Sequence, residues 1–225
     1  MSKNKKIKNA IEKIGEALIH DKNYKNYPDL VCDQSKGIIP RGLIFEDDDR
    51  DLNAVGSVIV GLNPGTAKED ERLYYKELYD KGELKYQEFI NFWKGKFRNW
   101  KYHNRLRSVS DKLGLRGPIL WTELVKCQSK KQGILRVQTV RDDIHKYLLK
   151  EIANIPESWP LIAGGDKAYE ILSYSFPNRL VIGVPHPTGT YGDHWLNHIN
   201  SKKILALKRI IKIGKPVAMH TKDIE

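Results

Sequence analysis

Residues 57–65 of the chain are Ser-Val-Ile-Val-Gly-Leu-Asn-Pro-Gly, an apolar run that ends in a turn sequence. A short, continuous apolar run that is followed by Pro and Gly is typical of a strand buried on both faces. We therefore predict a strand over residues 57–61 and a tight loop that projects Asn63 from its carboxyl end.

Further segments of the same kind alternate with helical periodicity along the chain. The predicted strands are residues 57–61, 119–125, 161–163 and 180–184. The predicted helical regions are residues 68–113, 139–152, a segment from 166 and a basic segment to 213. This alternation predicts an α/β fold, a three-layer α/β/α sandwich around a mainly parallel four-stranded central sheet.

A length of 225 residues suits a single domain, which we expect to span residues 1–225. Apolar residues recur with a helical period over residues 7–19, so residues 1–55 are expected to form an N-terminal helical extension packed on that domain. No segment approaches the roughly 20 apolar residues of a bilayer span, and the N-terminus has no signal-peptide pattern. The expected location is the cytoplasm, without a membrane partner.

The charge of the chain favours a polyanionic partner. Its 39 Lys and Arg residues exceed its 28 Asp and Glu residues, which gives a formal net charge of +11. Such an excess attracts nucleic acid, but a basic surface can also serve only to keep a protein soluble.

The cysteines and histidines give no sign of a metal site. The only cysteines, Cys32 and Cys127, form no CxxC pair, so we expect both to be reduced thiols. The histidines do not have the spacing of metal ligands, so we expect no metal and no cofactor.

Two loops follow the first and last predicted strands. Residues 61–65 are Gly-Leu-Asn-Pro-Gly and residues 185–189 are Pro-His-Pro-Thr-Gly. Ligands of open parallel sheets bind beyond the carboxyl ends of the strands, and the prolines that flank His186 stiffen its backbone. Either loop alone is an ordinary turn, but the pair predicts one crevice in which Asn63 and His186 face each other.

The two loops resemble the active-site motifs of the uracil-DNA glycosylase superfamily. Residues 61–65 look like the GxNPG motif of its mismatch-specific and single-strand-selective branches, and residues 186–189 look like its HPSG-type motif. Residues 121–127, Trp-Thr-Glu-Leu-Val-Lys-Cys, look like the TNxVKC segment of the thermostable branch. The resemblance covers residues 55–210 in scattered motifs.

This resemblance implies a monofunctional DNA glycosylase that hydrolyses the N-glycosidic bond of a flipped-out uracil, or of another deaminated or mismatched base, in base-excision repair. Asn63 would position the attacking water and His186 would donate a hydrogen bond to the departing base. The other residues implied to bind the base are Gly61, Leu62, Pro64, Gly65, Glu123 and Trp100. Phe97 and Tyr102 are alternatives to Trp100 for stacking.

The implied partner is damaged or mismatched DNA, single or double stranded, bound by a monomer. The residues expected to contact it are Lys126, Lys130, Lys131, Thr188, Gly189, Thr190 and Tyr191, with Tyr191 as the side chain that fills the gap left by the base. A solvated basic loop and an exposed turn tyrosine are equally consistent with these residues.

Glu123 departs from the family pattern, in which an Asn pairs with the uracil edge. An ionised carboxylate only accepts hydrogen bonds, whereas a protonated one also donates, so the choice of base stays open. A noncatalytic DNA-damage-binding protein with the same fold is the alternative reading. A small-molecule enzyme is less favoured because the chain has neither a GxGxxG nor a GxxxxGK[ST] fingerprint.

Overall fold

The computed structural model describes residues 3–94, 96–131, 133–189 and 192–224. The fold is α/β, with helices flanking a mostly parallel six-stranded sheet of strand order β2-β4-β3-β6-β7-β8, while β1 and β5 form a separate antiparallel pair. The strands are β1 Leu30–Val31, β2 Ile44–Glu46, β3 Ser57–Gly61, β4 Ile119–Glu123, β5 Gln128–Ser129, β6 Leu161–Gly164, β7 Leu180–Val184 and β8 Val217–His220.

The helices occupy most of the segments between these strands. They are α1 Lys3–Ile19, α2 Glu69–Lys81, α3 Tyr86–Trp93, α4 Lys101–Lys112, α5 Val137–Asp143, α6 Leu149–Ala153, α7 Asp166–Ser175, α8 Trp195–His198 and α9 Ser201–Ile213. One π-helical turn, Ile144–Leu148, joins α5 to α6. None of the helices in the described ranges combines the length and hydrophobicity needed to cross a bilayer.

Four neighbouring strands of the sheet run in the same direction. The backbone pairing of β3, β6, β7 and β8 aligns Val60, Ala163, Gly183 and His220 in one row across the sheet. Every residue of β3, β6 and β7 is buried, as the continuous apolar sequences predict. Because the strands are parallel and in register, their carboxyl ends lie at the same edge.

The prediction of four strands was wrong, since the sheet has six. The four predicted strands are present, and the two that were missed are β2 and β8. β2 has only three residues, Ile-Phe-Glu, beside an acidic stretch. β8 is Val-Ala-Met-His, with one exposed and two half-buried residues, so neither strand shows a continuous apolar run.

The chain separates into two compact units, each built from three stretches. Unit 1 comprises Met1–Ile44, Leu62–Lys94 and Thr122–Ile155, and unit 2 comprises Phe45–Gly61, Gly95–Trp121 and Pro156–Glu225. The parallel pairs from β3 to β8 lie wholly in unit 2, whereas the β1–β5 pair lies in unit 1. The chain therefore crosses repeatedly between the units.

The helix predicted over residues 7–19 is confirmed as α1, which belongs to unit 1. Ile7, Ile11 and Leu18 are buried along one face of α1. Gly15 lies on the same face, where an added Cβ would be only 2.4 Å from the ring of Tyr86, so α1 packs closely against α3. The predicted helical extension over residues 1–55 also contains the strands β1 and β2.

Lys126 has a structural role that corrects its prediction as a phosphate contact. Its side chain is 0% exposed, and its Nζ lies 3.0 Å from Oε2 of Glu151, whose side chain is equally inaccessible. The ammonium also donates to the carbonyl oxygen of Glu123 at 2.7 Å and to the hydroxyl of Thr122. A lysine that is buried in these contacts has no free ammonium to offer to DNA.

We expect Lys126→Met to lower the free energy of unfolding by about 3–5 kcal/mol, because Glu151 would keep a buried carboxylate without its partner. Equilibrium urea denaturation measures the change. The exposed Lys130→Ala is the control and should stay within about 0.5 kcal/mol of the parent protein. The double change Lys126→Met with Glu151→Leu should lose less than Lys126→Met alone; an equal or larger loss would contradict the assigned pairing.

Candidate active-site loops

The first loop lies in unit 1 and is fixed through its backbone. The carbonyl of Leu62 accepts a hydrogen bond from the amide of Val125 at 3.0 Å. Further along, the amide of Ala67 donates to Oε1 of Gln128 at 2.7 Å. These bonds attach both ends of the loop to the segment around β5, so the backbone that carries Asn63 is held on two sides.

A buried arginine completes the attachment of this loop. Arg41 donates to the carbonyl of Gly65 and lies 2.5 Å from Oε1 of Glu71, and both side chains are almost fully buried. A second contact of its guanidinium reaches Oε1 of Gln128 at 3.4 Å. Burial raises the pKa of Glu71, and the neighbouring charge of Arg41 opposes that rise. One planar cation thus joins the loop to α2 and β5.

Asn63 is half-buried, and its amide nitrogen points at three acceptors. They are the carbonyls of Pro64 at 3.2 Å and Cys127 at 3.5 Å and the hydroxyl of Ser129 at 3.4 Å. Within the described ranges no group donates to Oδ1 of Asn63. The amide group is oriented through its nitrogen, and its oxygen is left able to accept a hydrogen bond from water.

Glu123 ends β4 and lies beside the loop in unit 1. Gly42 packs against it so closely that a Cβ at position 42 would be 2.6 Å from Cγ of Glu123 and 3.5 Å from Cγ of Pro64. Burial raises the pKa of Glu123 to about 8, against the opposing charges of Lys126 and Arg41. No described side chain bonds to its carboxyl group. At neutral pH this carboxyl is mostly protonated, with one donor and one acceptor.

The second loop lies in unit 2, where two side chains hold its prolines. The carbonyl of Pro185 accepts a hydrogen bond from Nε1 of the buried Trp195 at 2.9 Å. The carbonyl of Pro187 accepts one from the guanidinium of Arg105, which also lies 5.8 Å from the centre of the Trp195 ring. The backbone on each side of His186 is therefore fixed by a buried partner.

His186 itself is exposed, and one of its ring nitrogens is occupied. The Nδ1 atom lies 3.4 Å from the amide nitrogen of Thr188 and 3.2 Å from its hydroxyl. Because the Thr188 amide donates, Nδ1 accepts, which puts the proton of the neutral ring on Nε2. Desolvation by the surrounding protein lowers the pKa of His186. The side chain is thus a neutral imidazole with an Nε2–H donor.

Three aromatic residues were candidates for stacking on a base, and they differ in the side chains that they contact. The ring of Tyr102 lies 5.5 Å from the ring of His186. The ring centroids of Trp100 and His103 are 6.2 Å apart. The buried ring of Phe97 packs against His103 and Trp121. Tyr102 is the one of the three that adjoins a predicted catalytic residue, whereas Phe97 belongs to the core.

The described residues that remain among the predicted DNA contacts are exposed. Lys130 and Lys131 are exposed after β5 in unit 1, and Thr188 and Gly189 are exposed in unit 2. Thr190 and Tyr191 lie outside the described residues. In the described part of the chain, no group of three or more His, Cys, Asp or Glu residues is arranged to hold a metal ion.

Sequence reasoning missed Arg41, Gln128 and Arg105, which hold the two loops. They carry no recognisable motif, because each holds its loop through a backbone group, a carbonyl for the two arginines and the amide of Ala67 for Gln128, and such a contact leaves no pattern in the sequence. Comparison with known proteins assigns no role to any of these residues, since the sequence matches no protein-family model and no curated protein sequence. The geometry of the two loops is therefore the main basis for a functional proposal.

Proposed function

We propose that this protein is a monofunctional DNA glycosylase that hydrolyses the N-glycosidic bond of a flipped-out uracil, or of another deaminated or mismatched base. One observation carries the proposal. The parallel strands β3 and β7 end at the same edge of the sheet, and each continues into a braced loop, one bearing Asn63 and the other a neutral His186. The proposed fold is the three-layer α/β/α sandwich of the uracil-DNA glycosylase superfamily.

Breaking a glycosidic bond creates a cation on the sugar and an anion on the departing base. A neutral imidazole can serve the anion, because the contact of Nδ1 with Thr188 leaves the Nε2–H of His186 to donate a hydrogen bond to the developing charge. An amide suits the attacking water, because the free Oδ1 of Asn63 accepts its hydrogen bond and orients it toward the sugar carbon.

Glu123 supplies the proposed recognition of the base. In its protonated form the carboxyl accepts from the N3–H of uracil through one oxygen and donates to O4 through the other. This is the pattern that an Asn amide offers, so the departure from the family motif is compatible with the same substrate class. Hypoxanthine presents the same order of donor and acceptor on its N1–H and O6.

The net charge of +11 suits a protein that holds a nucleic-acid backbone. Lys130, Lys131, Thr188 and Gly189 are proposed to contact DNA phosphates, and Tyr102 is proposed to stack on the base in place of Trp100. Phosphate contacts position the strand without reading its sequence, so they suit an enzyme that must examine many bases. The protein is proposed to act as a monomer in the cytoplasm.

The first test is the release of a base from labelled oligonucleotides that contain uracil, hypoxanthine, xanthine or a thymine mismatch, in single and double strands. Alkaline cleavage of the abasic product measures the rate. We expect Asn63→Ala and His186→Ala each to lower kcat by roughly 10²–10³-fold, because each removes a transition-state contact. The exposed Asn26→Ala and His145→Ala are matched controls and should keep full activity.

If no oligonucleotide is cut, or if Asn63→Ala cuts as fast as the parent protein, the catalytic assignment is wrong. Tight binding to a damaged strand without release of a base would instead favour a noncatalytic DNA-damage-binding protein. Gel-shift measurements on the same oligonucleotides distinguish that outcome from an absence of binding.

The second test is the pH dependence of uracil removal. The raised pKa of Glu123, about 8, means that the donor to O4 is present below that pH and is lost as pH rises through it. We expect kcat/KM to fall about tenfold for each pH unit well above 8. Glu123→Gln keeps a donor and an acceptor but does not titrate, so its profile should lack the fall that the parent protein shows as pH rises through about 8. A flat profile for the parent protein would contradict this role.

The third test concerns the phosphate contacts. We expect Lys130→Ala and Lys131→Ala each to reduce the slope of log K against log salt by about 0.9 for duplex DNA, because one phosphate contact is lost. Fluorescence anisotropy at several salt concentrations gives the slope. The control is Lys13→Ala, which changes an exposed lysine on α1. If Lys13→Ala reduces the slope as much as the other two changes, Lys130 and Lys131 are not specific phosphate contacts.

A further inference from the structure

The two cysteines of the chain face each other across the small sheet of unit 1. β1 and β5 are antiparallel, with Leu30 opposite Ser129 and Val31 opposite Gln128. Continuing this register by one residue places Cys32 opposite Cys127. Residues 95 positions apart in the sequence are thus brought together by backbone pairing, and not by a chance contact of side chains.

The phase of the backbone hydrogen bonds determines how closely the two cysteines approach. The amide of Lys130 donates to the carbonyl of Asp29 at 2.8 Å, which makes Asp29 and Lys130 a hydrogen-bonded pair. Such pairs alternate with non-hydrogen-bonded ones along an antiparallel ladder. Cys32 and Cys127 therefore occupy a non-hydrogen-bonded position, where the Cα separation is about 4.5 Å and side chains are closest, within the range that a disulfide spans.

The side chains agree with this backbone geometry. Both cysteines are free thiols, Cys127 fully buried and Cys32 half-buried. Burial, and after it the neighbouring thiol of Cys32, raise the pKa of Cys127 well above its ordinary value. One sulfur is accessible to a reagent, and the other is shielded and lies beside it.

We propose that Cys32 and Cys127 form a reversible intramolecular disulfide when the protein meets a small-molecule disulfide such as oxidised glutathione. The thiolate of Cys32 attacks one sulfur of the reagent and displaces the first thiol. Cys127 then loses its proton, attacks the sulfur of Cys32 and displaces the second thiol. The protein loses two hydrogen atoms and two electrons, and the reagent gains them as two thiols.

The linked pair closes a loop that contains stretches of both units. A covalent bond at this position restricts the unfolded chain over roughly 95 residues, and a native geometry that already suits the bond adds little strain. Oxidation should therefore raise the melting temperature, by roughly 5–15 °C for a chain of this length. This expectation does not depend on the proposed glycosylase activity.

The test uses the full chain, treated with oxidised glutathione after dithiothreitol has been removed. We expect the free-thiol count to fall from two to zero without a glutathione adduct, a linked peptide between residues 32 and 127 in a non-reducing digest, and a higher melting temperature. Dithiothreitol should reverse all three. Cys32→Ser retains the buried thiol as a folding control and should show neither the linked peptide nor the rise in melting temperature.

Three results would overturn the proposal. They are a stable glutathione adduct on Cys32 with Cys127 still free, disulfides that join two copies of the chain, and an internal link that lowers the melting temperature. The last result would mean that the pair reacts only after local unfolding. Because Cys32→Ser leaves the core residue Cys127 unchanged, a failure of Cys127→Ser to fold does not affect the conclusion.

Discussion

The parallel register of β3, β6 and β7 is the constraint on which the functional proposal depends. Hydrogen bonding between neighbouring backbones requires Gly61, Gly164 and Val184 to reach the same edge of the sheet. Each of these strands is buried at every residue, so a shift of register would move apolar side chains out of the core. The loops that follow therefore start from fixed points, whatever residues they contain.

Desolvation determines the chemistry of the two loops more than net charge does. A chain with a formal charge of +11 favours ionised carboxyl groups, yet Glu123 has its pKa raised to about 8 because burial outweighs the nearby cations. Desolvation also keeps His186 neutral by lowering its pKa. Both side chains are therefore hydrogen-bonding groups without charge at neutral pH, which suits recognition of an uncharged base.

Much of the fold was predictable because the apolar pattern of a fully buried strand is strong. The four predicted strands and the N-terminal helix are present, whereas β2 and β8 were missed because they are short or partly exposed. Lys126 shows a different limit. Its basic neighbours suggested a surface loop, but Lys126 is buried beside Glu151 of α6, 25 positions away in the sequence, and no local pattern records such a pairing.

Gly42 has a consequence for how this protein can evolve. It adopts a positive φ of 93°, and the space that its side chain would fill is occupied by Glu123. A larger residue at position 42 would displace the carboxyl group, and a larger residue at position 123 would meet the backbone of position 42. Because the positive φ strains any side chain at position 42 whatever the space around it, relatives of this chain that keep this backbone conformation should retain glycine there, whatever residue they have at position 123.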